Sequence, residues 1–136
     1  MKKLAIIVRD DAYDRVLTPL AFAYGAAASG IESDLLFVNW AVRLLSVDGT
    51  PAPVTHPGQD AWLKEQVARA GLPPEIRDII RALKATGKVR FHACSLAAQI
   101  FDVDAKKLIP EAEGIVGATW FLEEKAGAEG THTQYF

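Results

Sequence analysis

The sequence predicts an α/β fold, a three-layer α/β/α sandwich whose mostly parallel sheet has about five strands. Short runs rich in Ile, Val and Leu are bounded by polar turns, which is typical of strands buried on both faces. Segments of helix length separate these runs, and parallel strands need such connections. The chain has 136 residues, 50% of them hydrophobic. This is the size of one domain with one core, so we expect a single domain over residues 1–136.

The chain opens with a buried strand and a buried helix. Leu4 to Val8 is a continuous apolar run and predicts the first strand. The helix runs through Ala21 to Ala28 and ends at Gly30. Two starting points are open. Thr18-Pro19 offers an N-cap followed by proline, and the helix can also begin earlier, near Tyr13.

A second strand and a long loop follow. Glu32 to Val38 predicts the strand, which Asn39-Trp40 closes, and Ala41 to Leu45 has room for one or two helical turns. Ser46 to Gly58 holds three prolines and two glycines, a composition that disfavours regular structure and predicts a surface loop. Long loops are often functional, so we expect this one to cover a site.

The second half of the chain continues the alternation of helices and strands and ends in a strand. Its predicted elements are a helix over Gln59 to Ala70, a helix opened by Pro73-Pro74 with Ile76, Ile79, Ile80 and Leu83 on one face, a strand over Val89 to Ala93, a helix over Ser95 to Phe101, a short strand at Ile115-Val116, a helix over Thr119 to Lys125 and a strand over Thr131 to Phe136. Such alternation predicts a flavodoxin-like or Rossmann-like sandwich.

Composition and charge exclude several classes of partner and cofactor. Fifteen basic and 17 acidic residues are scattered, which disfavours nucleic acid. The longest uncharged stretch, Val16 to Ile31, is shorter than the ~20 residues of a membrane span. No glycine-rich phosphate-binding motif follows a strand, and no Cys or His spacing fits a metal, so we expect no cofactor and no metal. A single cysteine and an N-terminus unlike a signal peptide favour the cytoplasm.

The candidate site residues follow the strands, because ligands bind at the carboxyl ends of an open α/β sheet. Asn39 and Trp40 follow the second strand, Cys94 and Ser95 the third, and Thr119 comes soon after the fourth. We expect Cys94 to be the reactive residue and the other four to contact its substrate.

Cys94 stands at a predicted strand-to-helix junction, where free N–H groups of the following helix stabilise a thiolate. His92 lies two residues earlier, on the same face of an extended strand, and an imidazolium there would act in the same direction. The competing interpretation is that Cys94 is a small buried hydrophobic residue, as most free cysteines are. His92 is more often a hydrogen-bonded structural residue than a base, and Asp10-Asp11 more often an ordinary acidic turn than a metal site.

The aromatic residues predict packing rather than a stacking platform for a ligand. They are Trp40, Trp62, Trp120, Phe37 and Phe121. Large aromatic side chains are more often core or subunit contacts. The nearly uncharged helix at Ala21 to Ala28 also needs cover on every side, which favours a further subunit.

Five segments together carry a family resemblance. They are Lys3 to Val8, Gly25 to Gly30, Phe37 to Trp40 followed by Leu44-Leu45, His92-Ala93-Cys94-Ser95, and Gly117 to Thr119 with Phe121-Leu122. In order and spacing the chain resembles the DsrE/DsrF-like family of small sulfur-relay proteins. The resemblance implies a parallel α/β subunit in a homo-oligomer, such as a trimer or hexamer. It also implies that Cys94, the one residue carried over, accepts sulfane sulfur as a persulfide and passes it on.

These observations predict a sulfur carrier or sulfurtransferase-like protein with sulfur-donor and sulfur-acceptor proteins as partners. The alternative is a non-catalytic oligomeric binding or scaffold protein of the same fold, with Cys94 as a buried structural residue. A thiol peroxidase ranks last, because the chain has no resolving cysteine.

Overall fold

Five strands and the helices that connect them build the molecule, and the computed structural model describes residues 1–136. The strands are β1 (Lys3–Val8), β2 (Glu32–Phe37), β3 (Val89–Cys94), β4 (Ala112–Val116) and β5 (Thr131–Tyr135). The helices are α1 (Tyr13–Ala28), α2 (Asp60–Arg69), α3 (Ile76–Ala85), α4 (Ser95–Ile100) and α5 (Ala118–Phe121). A 3-10 helix, Asn39–Leu45, follows β2, and a π-helical turn, Leu122–Ala126, continues α5.

The sheet is parallel throughout, in the order β4-β3-β2-β1-β5. The chain steps in one direction from β1 to β4, and the connection to β5 then crosses the sheet to the opposite edge. Because such crossovers are right-handed, this reversal puts α5 on the face opposite α1, α3 and α4. In agreement, α1 packs against α3, while the π-helical turn packs against β1 and β5. The predicted α/β sandwich with about five strands is confirmed.

The core lies at the three central strands, β2, β1 and β3. Ile6, Leu35 and Phe91 are fully buried, one on each of these strands. The edge strands β4 and β5 are only partly covered. Burial of both faces explains the continuous apolar run of β1 and the apolar second half of β2. Burial also fixes the positions of the carboxyl ends of the central strands, and with them the residues that follow.

Several element boundaries differ from the sequence prediction. Helix α1 begins at Tyr13, the earlier of the two predicted starts, and Pro19 lies inside it. Strand β4 begins at Ala112 rather than Ile115, because pairing with β3 includes Gly114, a poor strand former. No helix has the length and hydropathy needed to cross a bilayer.

The three tryptophans lie outside the core, so of the two roles predicted for the aromatic residues, core or subunit contact, only subunit contact stays a prediction for them. Trp40, Trp62 and Trp120 are 54%, 58% and 40% exposed, whereas Phe37 and Phe121 are fully buried. Each tryptophan lies on an outer surface. Phe22 and Tyr24 on α1 are also about half exposed. These side chains remain available for contacts between subunits.

Candidate functional site

The strand ends that carry the predicted site are adjacent in the sheet. Asn39 comes just after β2, Ser95 directly after β3, and Thr119 three residues after the end of β4. Since β4, β3 and β2 are neighbours, these residues flank one another, with Cys94 in the middle strand. Asn39, Trp40, Ser95 and Thr119 are all exposed. The topology therefore gathers the five predicted site residues at one end of the sheet.

Cys94 is the last residue of β3 and the N-cap of α4. Its backbone is extended, with φ −68° and ψ 129°, and its side chain makes no capping hydrogen bond. The residue is only 6% exposed, although Ser95 and Leu96 directly after it are exposed. Helix α4 has six residues, so it offers a few free N–H groups rather than a long aligned dipole. The thiol is thus buried directly beside exposed residues.

Trp40 forms an outer aromatic pair at this end of the sheet. Its ring centroid lies 4.8 Å from that of Phe101, at the end of α4. Asn39 before it has φ 51°, a left-handed conformation that asparagine adopts more readily than most residues. This turn after β2 carries Trp40 towards α4, and the exposed ring forms a surface beside the site.

The loop over residues 46–58 is fastened to the β1–α1 junction. Ala52 N–H donates to Asp11 O at 2.9 Å, Tyr13 N–H donates to Ala52 O at 3.0 Å, and Thr55 hydrogen-bonds Asp14. None of the loop's hydrogen bonds goes to Cys94 or Ser95. The loop therefore stabilises the start of α1, and its bonding does not mark it as a cover for the thiol.

The acidic turn after β1 has structural partners. Asp11 is buried and pairs with Arg43 at 2.8 Å. Asp10 accepts a hydrogen bond from Ala12 N–H at 3.0 Å and contacts Arg15 at 3.2 Å. Both carboxylates thus hold the turn and the 3-10 helix in place, as the ordinary interpretation of this turn expects.

A buried charged cluster lies on the α5 face of the sheet, below Cys94. Asp34 of β2 is 5% exposed at its side chain and accepts two hydrogen bonds of 2.9 Å from Arg90. His92 Nε2 lies 2.8 Å from the same carboxylate, and Lys125 Nζ lies 3.6 Å away. Arg90 also reaches Glu32 at 3.3 Å. One carboxylate thus joins β2, β3 and the π-helical turn.

The cluster fixes the ionisation of Asp34 and the tautomer of His92. Burial by itself raises the pKa of Asp34, but hydrogen bonds from His92 and Arg90, with the charges of Arg90 and Lys125, hold it well below its usual range. An ionised carboxylate only accepts hydrogen bonds, so Nε2 of His92 carries the hydrogen between them. In the neutral ring Nδ1 then bears the lone pair. That atom is buried and has no hydrogen-bond partner.

Sequence reasoning found His92 but missed Asp34 and Arg90. A signal was present, because Asp34 lies inside a predicted strand, next to the apolar run Leu35-Leu36-Phe37, and acidic residues are almost never fully buried unless paired. The pairing of Asp34 with Arg90 could not be predicted, because it depends on the strand register that sets the two residues opposite each other.

Comparisons with known proteins agree with this architecture. The model of the DsrE/DsrF-like family matches residues 2–121. A solved structure, the protein of unknown function MTH1491 from Methanobacterium thermoautotrophicum, is 14% identical with a TM-score of 0.60, and the match covers 98% of this chain and 99% of that one. This likeness concerns the fold alone. Comparison with curated proteins finds no match. Since the family model spans most of the sequence, including all of β1 to β4 and Cys94, the chain belongs to the DsrE/DsrF-like family.

Proposed function

We propose that the protein is a sulfur carrier in which Cys94 holds sulfane sulfur as a persulfide and passes it to an acceptor thiol. The observation that carries the proposal is the position of Cys94, the chain's one cysteine, at the carboxyl end of β3 in a DsrE/DsrF-like chain. This end of a parallel sheet is where α/β proteins bind their ligands.

The chemistry needs one thiolate and two partners. The Cys94 thiolate attacks the outer sulfur of a donor persulfide, the donor's S–S bond breaks, and the donor leaves as a thiol. An acceptor thiolate then takes the same sulfur from Cys94. A single cysteine suffices for such relay but cannot complete a dithiol cycle within one chain. Asn39, Trp40, Ser95 and Thr119 are the proposed contacts for the donor and acceptor, because they are exposed around the thiol.

Intact-mass analysis after incubation with cysteine persulfide tests the proposal. We expect wild type to gain the mass of one sulfur atom, reversibly on treatment with dithiothreitol. Cys94→Ala should gain none, and Ser29→Ala, at an exposed serine just after α1 and outside the site, should still load because it keeps the thiol. A wild-type protein that never gains sulfur would contradict the carrier function.

A second candidate is a scaffold or binding protein in which Cys94 only fills space. The 6% exposure of Cys94 and its place in the apolar core favour it. Alkylation of the native protein with iodoacetamide separates the two functions. A carrier thiol should react much faster than the protein unfolds, whereas a packing thiol should react only at the rate of unfolding.

We further propose donor and acceptor proteins as partners, a homo-oligomer such as a trimer or hexamer as the assembly, and the cytoplasm as the compartment. A lone thiol that must stay reduced between transfers supports a reducing compartment. Exposed apolar side chains near the site, including Trp40 and Leu96, support contacts between subunits.

A further inference from the structure

The buried cluster around Asp34 contains a ring nitrogen, His92 Nδ1, that has no hydrogen-bond partner. We propose that His92 Nδ1 accepts the thiol proton of Cys94 during sulfur transfer, and that Asp34 is the positioning residue that fixes the imidazole in the required tautomer. This inference rests on the proposed carrier function and adds the proton acceptor that the transfer needs. Its basis is a histidine that is 4% exposed, bound at Nε2 and unpartnered at Nδ1.

The two side chains share one face of β3. Arg90 and His92 both contact Asp34, so both point to the α5 side, and Cys94 continues the same alternation with extended backbone. Residues two apart on a strand are roughly 6.6 Å apart. The Cys94 side chain makes no capping hydrogen bond, and His92 Nδ1 has no hydrogen-bond partner. The strand spacing is that of the two backbone positions, so rotation of the Cys94 side chain or one bridging water can bring Sγ within reach of Nδ1, because catalytic hydrogen bonds often form only in the complex.

Asp34 does not need His92 for charge balance. The bidentate bond from Arg90 and the nearby Lys125 already supply two positive charges to one carboxylate. What the carboxylate does for His92 is specific: it takes the Nε2 hydrogen and leaves the lone pair at Nδ1. The same division of labour lets a carboxylate orient an imidazole that serves as a base.

The surroundings of His92 supply no competing proton acceptor. Strand β2 contributes Asp34 and, through Arg90, Glu32, both engaged with cations. The α5 side contributes the rings of Trp120 and Phe121, 5.7 and 6.0 Å from the imidazole, with Lys125 beyond them. Strand β4 pairs glycine, Gly114, with His92 and so adds no titratable side chain opposite it. Within this cluster, His92 Nδ1 is thus the one acceptor atom without a partner.

The step balances without any further reactant. Cys94 Sγ loses its proton to His92 Nδ1, and the thiolate forms a bond to the outer sulfur of the donor persulfide. The donor's S–S bond breaks, and its departing thiolate takes the proton from Nδ1. Sulfane sulfur moves from one thiol to the other with no net oxidation, and His92 returns to its neutral form.

His92→Gln is the informative variant, because the glutamine amide N–H can still donate to Asp34 while no base remains. His132→Gln, on β5, is the matched control. Two rates are measured against pH: sulfur loading from cysteine persulfide, and alkylation of Cys94 by iodoacetamide, which needs no sulfur transfer. A thiol of ordinary pKa, about 8.5, is about 3% ionised at pH 7, so a base can accelerate either reaction up to about 30-fold there.

We expect His92→Gln to lose about 10- to 30-fold in both rates at pH 7 and to recover the wild-type rates near pH 10, where a thiol ionises unaided. His132→Gln should match wild type throughout. Equal rates for His92→Gln and wild type at pH 7, or a deficit that persists unchanged at pH 10, would overturn the role of His92.

The two measurements, sulfur loading and alkylation of Cys94, test the role of His92 separately from the carrier function. A wild type that alkylates with the expected dependence on His92 but gains no sulfur leaves His92 as the base for Cys94 and contradicts the carrier. A thiol that neither loads nor alkylates contradicts both. If His92→Gln does not fold, the wild-type alkylation profile decides: a fall of about tenfold between pH 8 and pH 7, as for an unassisted thiol, overturns the proposal.

Discussion

Asp34 is the residue on which the polar part of the structure depends. It is buried among apolar neighbours and joins Arg90, His92 and Lys125. A buried carboxylate is tolerated only when its partners compensate for the lost hydration. Removing its charge therefore affects three elements at once, and leaves Arg90 with one carboxylate partner, the more exposed Glu32.

Asp34→Asn should destabilise the protein by about 3 kcal/mol, because it leaves a partly buried guanidinium without its main partner. Urea denaturation at pH 7 measures the free energy of unfolding. Asp48→Asn, at an exposed position in the 46–58 loop, is the control and should change it by less than about 0.5 kcal/mol. A similar small loss for Asp34→Asn would show that the cluster contributes little to stability.

The Asp34 carboxylate also makes the free energy of unfolding depend on pH in the acidic range. Its pKa in the folded protein lies below the unfolded value of about 3.9, so its contribution is complete above about pH 5 and declines as the pH falls through and below 4. Urea titrations at several pH values between 7 and 3 should show a steeper loss for wild type than for Asp34→Asn. Parallel curves for the two proteins would contradict the lowered pKa of Asp34.

At the scale of the element, α1 shows two glycines with opposite roles. Gly25 is exposed within the helix, and a Cβ there would meet no atom within 4 Å. Gly30, just after the helix, has φ 76°, which favours glycine.

Gly25→Ala should therefore stabilise the protein by about 0.5–1 kcal/mol, whereas Gly30→Ala should destabilise it by about 1 kcal/mol. Thermal and urea unfolding of both variants against wild type measure the pair. A loss of stability in Gly25→Ala would show that this helix surface is covered, as contact with another subunit would cause.

The elements that the sequence predicted well are those that local pattern decides. A continuous apolar run located β1, and the spacing of Ile76, Ile79, Ile80 and Leu83 located α3. Tertiary contacts decide the rest. The start of β4 depends on pairing with β3, and the π-helical turn after α5 depends on packing against β1 and β5. Neither the start of β4 nor the π-helical turn can be predicted from local propensity.

The site divides in the same way. The positions of Cys94 and of its exposed neighbours could be predicted because strand ends can be read from the sequence, and the sheet order makes those strand ends adjacent. The Asp34 cluster joins residues 56 and 58 positions apart along the chain. Its geometry follows from strand register, which a single sequence does not specify.

At the scale of the whole molecule, the surface near the site is unusually apolar. Leu96 and Ile100 lie four residues apart on α4 and are each 65% exposed, and Trp40 is 54% exposed on the adjoining 3-10 helix. Neighbouring apolar side chains of this size mark contact surfaces more often than solvent-facing ones.

Light scattering coupled to size-exclusion chromatography should give a mass three or six times that of the chain. Introducing charge with Leu96→Glu and Ile100→Glu together should shift the protein towards the monomer, because burying two unpaired carboxylates in an interface is costly. Trp62→Gln, at an equally exposed aromatic on α2, is the control and should keep the assembly. A monomeric wild type contradicts the assembly itself, and an oligomer that survives both glutamates moves the contact away from α4.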